Sequence, residues 1–146
     1  GDHRDLHSFP TRRSSDLKKY YYKGKKGELP VGVDPMNNFV LEKGTKGVMI
    51  AGHNADEWIL KREGKDPLRM YSSDSFDIEH PNITTPYKGI DDVLLLFYIR
   101  LSALDMVLIA ESIKEETISS IEFIITDDYE QISKETMERT LNELFK

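Results

Sequence analysis

The sequence of 146 residues contains no cysteine. Without a thiol the chain can form no disulfide scaffold, no thiolate metal site and no cysteine nucleophile. The absence also fits a reducing compartment, so we expect a cytoplasmic protein. Glycine and proline are missing from Ile90 to Glu116, which leaves one long stretch without a residue that breaks helices.

Positive charge is also scarce. The chain has 20 Lys and Arg residues against 26 Asp and Glu residues, a formal net charge of −6 at pH 7. Broad binding to nucleic acid or to anionic membranes requires clustered positive charge, so the acidic balance argues against both. It favours solubility and, among possible partners, a basic protein.

The first seventeen residues, GDHRDLHSFPTRRSSDL, match residue for residue a translation of a widely used sequencing-library adapter. We therefore exclude residues 1–17 from reasoning about the fold and expect them to be disordered or non-native. No methionine stands at the junction. We expect residues 18–146 to form a single α+β domain that is truncated at its N-terminus, of a length that suits one domain.

The first part of this domain contains short apolar runs separated by turn residues. A short strand is predicted at residues 20–22. The runs at 39–42 and 48–51 are separated by the Gly-containing stretch Lys43–Gly47. Two such runs joined by a short loop predict a β-hairpin.

The next part predicts a helix followed by irregular structure. Asn54 can cap a helix with acids in its first turn, and Gly64 would end it after about Glu63. Residues 67–89 are rich in Pro, Ser, Thr and Asp, which predicts irregular structure with one strand at Leu68–Tyr71.

The long uninterrupted stretch is predicted to be one apolar helix at about 90–116, because it is rich in Leu, Ala, Met, Glu and Lys. The alternative is a strand at Val93–Ile99 followed by a helix capped by Ser102. A membrane span is less favourable, because Arg100 and Asp105 offset the apolar residues around them. On one helix these two residues would lie about 140° apart and would not pair.

The C-terminal part predicts a strand and a helix. Thr117–Thr126 alternates β-branched and polar residues as strands do. Ser133 can cap a final amphipathic helix. Its apolar face would consist of Met137, Leu141, Leu144 and Phe145.

Together these elements predict an α+β fold with a small, mostly antiparallel sheet. The sheet would be packed by the long apolar helix (about 90–116) and by the C-terminal amphipathic helix (about 133–145). If residues 90–116 are split, the C-terminal half would form a βαβα unit with a parallel strand pair.

Two groups of residues are weak candidates for catalysis. His53, Asp56 and Glu57 could transfer protons or bind a metal, although they lack the His-x-x-x-His spacing of a zinc helix. Asp127 and Asp128 follow a predicted strand and could hold Mg²⁺. Ordinary helix and strand ends explain both groups as well, so we expect no metal and no other cofactor.

A basic and aromatic segment lies near the adapter junction. Lysines neutralise phosphates and aromatic rings stack on bases, so such a segment could bind single-stranded nucleic acid. Lysines that protect an edge strand from aggregation are the commoner explanation. The residues concerned are Lys18, Lys19, Tyr21, Lys23, Lys25 and Lys26.

No motif of reasonable specificity is present. The expected function is therefore a non-enzymatic protein-binding or regulatory domain of a cytosolic, bacterial-type protein. It would bind a protein partner or a second copy through the apolar helix. The alternatives are a metal-assisted hydrolase or phosphotransfer fragment, which would use the two acidic groups, and a single-stranded nucleic-acid-associated domain.

Overall fold

The structure is a computed structural model that describes residues 18–145, and within these residues strands predominate. The adapter-like segment 1–17 lies outside the described residues. The strands are β1 (Lys19–Tyr21), β2 (Phe39–Ile50), β3 (His53–Arg62), β4 (Leu68–Ser73), β5 (Val93–Leu101), β6 (Leu104–Ile109) and β7 (Tyr129–Gln131). In the described part of the chain, helical structure is confined to a 3-10 helix at Ser120–Phe123 and to α1 at Lys134–Leu144.

Strands β2 to β6 form one antiparallel sheet in chain order, and β1 pairs with β7 in a separate parallel pair. The predicted α+β fold is therefore wrong: within residues 18–145 no long apolar helix packs on the sheet. The prediction of a mostly antiparallel sheet is correct. Short turns can connect antiparallel neighbours, although β4 and β5 are joined by the long irregular stretch 74–92.

The first hairpin joins β2 to β3 through the two-residue turn Ala51-Gly52, in which φ is 50° and 80°. A turn with two positive φ values matches the twist of the strands it joins. The predicted hairpin loop at Lys43–Gly47 is wrong, because these residues form a bulge within β2 where the pairing register shifts.

The predicted helix after Asn54 is also wrong, since these residues form β3. The capping signals at its start are local, whereas β3 pairs with β2 on one side and with β4 on the other. Pairing on both sides outweighs a weak local preference for helix. The predicted strand at Leu68–Tyr71 is confirmed as part of β4.

The predicted helix at 90–116 is replaced by the hairpin of β5 and β6. Its turn is Ser102-Ala103, where Ser102 has a φ of 55°. The alternative prediction is correct for the strand and wrong for the helix after Ser102. Arg100 and Asp105 lie directly opposite each other, and Arg100 Nη1 is 3.0 Å from Asp105 Oδ1. Two charges that a helix would separate thus pair across the hairpin.

Of the two C-terminal predictions, the strand is wrong and the helix is correct. Thr117–Thr126 forms no strand and contains only the 3-10 helix. The amphipathic helix is confirmed as α1, whose first turn is capped by the Ser133 side chain. Leu141 anchors α1 on the chain before β2, because a Cβ at Gly32 would lie 2.2 Å from Leu141 Cδ2.

The chain before β2 also lies alongside the end of β5. Asp34 N donates to the carbonyl of Arg100 at 2.9 Å, and Ser102 N donates to the carbonyl of Gly32 at 2.8 Å. The sheet therefore curls, so that the residues just before β2 lie close to the C-terminal end of β5.

Irregular residues 74–92, between β4 and β5, cover the apolar face of the sheet. The buried cluster consists of Leu60, Met70, Tyr87, Ile90 and Leu94, of which Tyr87 and Ile90 belong to this loop. Buried Asn82 fixes the loop, since its Nδ2 donates to the carbonyls of Ile90 at 2.6 Å and Asp92 at 2.8 Å. Within residues 18–145 no helix has the length and apolar content needed to cross a membrane.

The left-handed conformation of Ala51 generates a test of the first hairpin. Ala51→Asn should raise the free energy of unfolding by about 1 kcal/mol, because asparagine tolerates positive φ better than alanine does. Urea unfolding would measure the change. Ala103→Asn is the control, since Ala103 lies in the second hairpin turn without a positive φ. Equal effects of the two substitutions would contradict this explanation.

Tyr87 generates a test of the core. Burial raises the pKa of its phenol from 10.0 to about 12. Between pH 10 and pH 12 the unfolded chain loses a proton that the folded chain keeps, so the contribution of Tyr87 is complete below pH 10 and is lost as the pH rises to 12. Tyr87→Phe should remove this part of the alkaline loss of stability. Tyr20→Phe, at an exposed position, should leave it unchanged.

Candidate functional site

Strand β3 separates the residues that the sequence grouped as a proton-transfer or metal site. Successive residues of a strand point to opposite faces, and accordingly Glu57 is buried whereas Asp56 is exposed. His53 packs against Phe76 in a tilted arrangement, with 4.7 Å between the ring centroids. His53 therefore lies against an aromatic ring, whereas the carboxylate of Glu57 is buried elsewhere in the sheet.

Glu57 occupies a polar site inside the sheet. Its Oε2 accepts from the Tyr71 hydroxyl at 3.3 Å and lies 3.6 Å from Arg69 Nε. Burial and, after it, the negative charge of Glu57 raise the pKa of Tyr71. Gly44 in the bulge of β2 lies against this carboxylate, and a Cβ there would be 2.2 Å from Glu57 Oε1. The bulge thus makes room for a buried acid.

Asp127 and Asp128 are exposed beside β7. Lys19 Nζ lies 2.8 Å from Asp128 Oδ2, and its hydrogen bond is the main cause that lowers the pKa of that carboxyl. Within residues 18–145, no three or more His, Cys, Asp or Glu side chains are grouped so that they could hold a metal ion. The metal-assisted enzyme stays a prediction that no contact between the two acidic groups supports.

Acidic side chains accompany the basic and aromatic segment. Lys19 pairs with Asp128, and Tyr21 donates to Gln131 Oε1 at 3.3 Å. The backbone of Lys25 donates to Glu28 at 2.7 Å, which is the main cause of the lowered pKa of Glu28. The side chains of Lys18, Lys23, Lys25 and Lys26 are exposed. Binding of nucleic acid here stays a prediction, and the nearby acids weaken it.

The surface that sequence reasoning missed is residues 111–131, which we call the acidic apolar segment. Every one of its residues is exposed. Its large apolar side chains are between 39% and 74% exposed, namely Ile113, Ile118, Ile121, Phe123, Ile124, Ile125 and Tyr129. Monomeric proteins rarely expose large contiguous apolar patches, so this run of exposed side chains makes the segment a candidate contact surface.

The same segment carries the charge of the whole chain. It has one basic residue, Lys114, and seven acids, Glu111, Glu115, Glu116, Glu122, Asp127, Asp128 and Glu130. The difference is −6, which equals the net charge of the protein. The rest of the chain is therefore balanced. The concentration of acids was readable from the sequence, but the strand pattern in Thr117–Thr126 suggested burial instead.

The acidic apolar segment continues from an edge strand that is itself apolar. Strand β6 is at the edge of the five-stranded sheet. Its side chains of Leu104, Val107 and Ile109 are 45%, 50% and 56% exposed. An edge strand presents unpaired backbone groups, which can pair with another chain.

Comparison with known proteins identifies no relative: no family model matches the chain, and neither the curated proteins nor the solved structures give a match.

The contact between Gly44 and Glu57 generates a stability test. Gly44→Ala should lower the free energy of unfolding by about 1–3 kcal/mol, because the added methyl group overpacks a buried site. Gly47→Ala is the control, since its Cβ would meet only the Ala55 carbonyl at 3.4 Å. Thermal unfolding would measure both. In a Glu57→Ala background the loss at Gly44 should largely disappear; persistence would show that the clash is elsewhere.

Proposed function

We propose that the chain is a protein-binding or regulatory domain whose contact surface is the acidic apolar segment. The proposal is carried by one observation: seven large apolar side chains are exposed within a segment that also holds the whole net charge of the protein. Burial of each apolar side chain against a partner contributes on the order of 1–3 kcal/mol. Nearby charges steer association and select the partner.

The chemistry of the segment fits a partner protein with an apolar surface bordered by Lys and Arg. A partner with the opposite charge would gain from the net charge of −6. Two copies of the segment would instead bring like charges together, which disfavours association between copies at this surface. The partner is therefore a different, basic protein.

The proposed mode of contact rests on a difference between the sequence pattern of residues 117–126 and the conformation that they adopt. Thr117–Thr126 alternates as strands do, yet apart from its 3-10 helix it is irregular. A strand requires a neighbour to accept and donate its backbone hydrogen bonds. A partner that supplies such a strand would let Ile121, Phe123 and Ile125 lie on one face of the new pair.

A cytosolic location belongs to the same proposal. It is supported by the absence of cysteine, which suits a reducing compartment.

A defined peptide probe tests the proposal. We expect a peptide that alternates lysine and leucine to bind at least about tenfold more tightly than peptides that alternate lysine with serine or glutamate with leucine, because only the first offers both apolar and basic groups. Calorimetry would measure affinity. Hydrogen exchange should show protection within residues 111–131.

Matched variants locate the surface. Phe123→Ser combined with Ile125→Ser should weaken binding at least about tenfold, since both side chains are exposed and contribute to no core. Val40→Ser combined with Met49→Ser changes exposed apolar residues on β2 and should have no effect. Equal effects of the two pairs, or protection outside the segment, would overturn the proposal. So would a dimer, seen by sedimentation, that dissociates on the Phe123 and Ile125 substitutions.

A further inference from the structure

A cavity of about 630 Å³ lies at the end of the sheet where the curl brings the entry of β2 towards β6. Its walls include the apolar side chains of Met36, Phe39, Leu68, Tyr98, Met106 and Val107. Sites for small molecules typically have about 300–1,000 Å³ and mostly apolar walls with a few polar groups. No residue of the acidic apolar segment lines this cavity, so the two surfaces are separate.

The guanidinium of Arg62 supplies a polar group in this wall. Its Nε is buried without a hydrogen-bond partner, and its Nη2 reaches the carbonyl of Asp66 only at 3.5 Å. An arginine side chain carries five N–H donors and a permanent charge. Buried donors almost always have partners. Nε itself has almost no accessible surface, so an oxygen atom of a ligand in the cavity would accept from the terminal Nη groups of this guanidinium.

Other cations at the cavity are already engaged or lie in solvent. Arg100 pairs with Asp105 at 3.0 Å across the β5–β6 turn. Lys65 is exposed in the turn between β3 and β4. Within residues 18–145, the buried donor without a partner is therefore that of Arg62.

The charges around the cavity disfavour a ligand with several negative charges. The lining residues with charged side chains are Asp34, Arg62, Glu63, Lys65, Arg100 and Asp105. Acids and bases balance in this set, so a doubly charged phosphate would meet as much repulsion as attraction. One carboxylate matches the geometry of a single guanidinium.

The loop that leads into β2 is held in a strained conformation at this site. Met36 and Asn38 both line the cavity and have φ values of 53° and 63°. Asp34 Oδ1 accepts from Met36 N at 2.7 Å, and the Tyr87 hydroxyl lies 3.4 Å from Met36 Sδ. A non-glycine residue in this conformation persists only where its surroundings impose it, which is common at ligand sites.

We propose that this cavity binds a small molecule with an apolar body and one carboxylate. The carboxylate accepts from Arg62, and the apolar body lies between Phe39 and Met106. This site goes beyond the protein-binding function, since neither surface contributes residues to the other.

Methyl NMR of the methionines tests the proposal on the whole chain. The protein has five methionines, and two of them, Met36 and Met106, line the cavity. With octanoate as the probe, these two methyl signals should shift and saturate. Met49, Met70 and Met137 do not line the cavity, so their methyl signals report any non-specific effect. Octanol, which has the same chain without the charge, should bind at least about tenfold more weakly, because it lacks a charge-assisted hydrogen bond.

Variants assign the carboxylate to its partner. Arg62→Met should weaken octanoate binding about tenfold and leave octanol binding unchanged. Lys65→Met removes an exposed cation from the same cavity and should change neither. The signals of the three methionines that do not line the cavity show in each case that the variant is folded. Equal affinity of octanoate and octanol for the unaltered protein, shifts spread over all five signals, or an equal effect of the two variants would overturn the proposal.

Discussion

The ring of Tyr87 covers the apolar face of the sheet, a role that in many folds belongs to a helix. It makes edge contacts with Phe39 at 5.6 Å and with Phe97 at 6.4 Å between ring centroids, and these two residues belong to β2 and β5. Strands β3 and β4 lie between those two in the sheet. One side chain from an irregular loop thus connects distant strands. Its hydroxyl donates to the carbonyl of Tyr98, which satisfies the one polar group that the ring brings into the core.

The curl of the sheet follows from the same contact and creates the cavity. The Tyr87 hydroxyl touches Met36 and Tyr98, and both of these residues line the cavity. The loop before β2 is held against the end of β5 by the hydrogen bond from Asp34 to Arg100. Tyr87 of the core therefore supports two residues of the cavity wall, so that substitutions which loosen Tyr87 also change the shape of the pocket.

Sequence reasoning succeeded for helix α1 and for the strand at Leu68–Tyr71, and it failed where strand pairing overrode a local signal, as it did after Asn54. Helix α1 was predictable because the Ser133 cap and the apolar spacing that follows it lie within four turns of chain. Residues 90–116 were not, because a run of Leu, Ile and Val suits a buried helix and a buried strand equally. The position that decided between them was Ser102, whose positive φ allows a two-residue turn. Residue types alone did not reveal that turn. For the candidate sites, the buried position of Glu57 depends on the bulge in β2. The position of Arg62 in the cavity wall depends on the curl of the sheet.

The distribution of charge separates the two proposed sites in physical terms. The acidic apolar segment concentrates the entire net charge in an exposed stretch, where in the proposed function it attracts a large partner over about one Debye length. The cavity has balanced charges, so its field is weak at long range and its proposed selectivity rests on the Arg62 guanidinium at short range. Salt should therefore weaken association at the segment far more than it weakens binding in the cavity. The different response to ionic strength distinguishes a ligand that has reached Arg62 from one that is merely attracted to the surface.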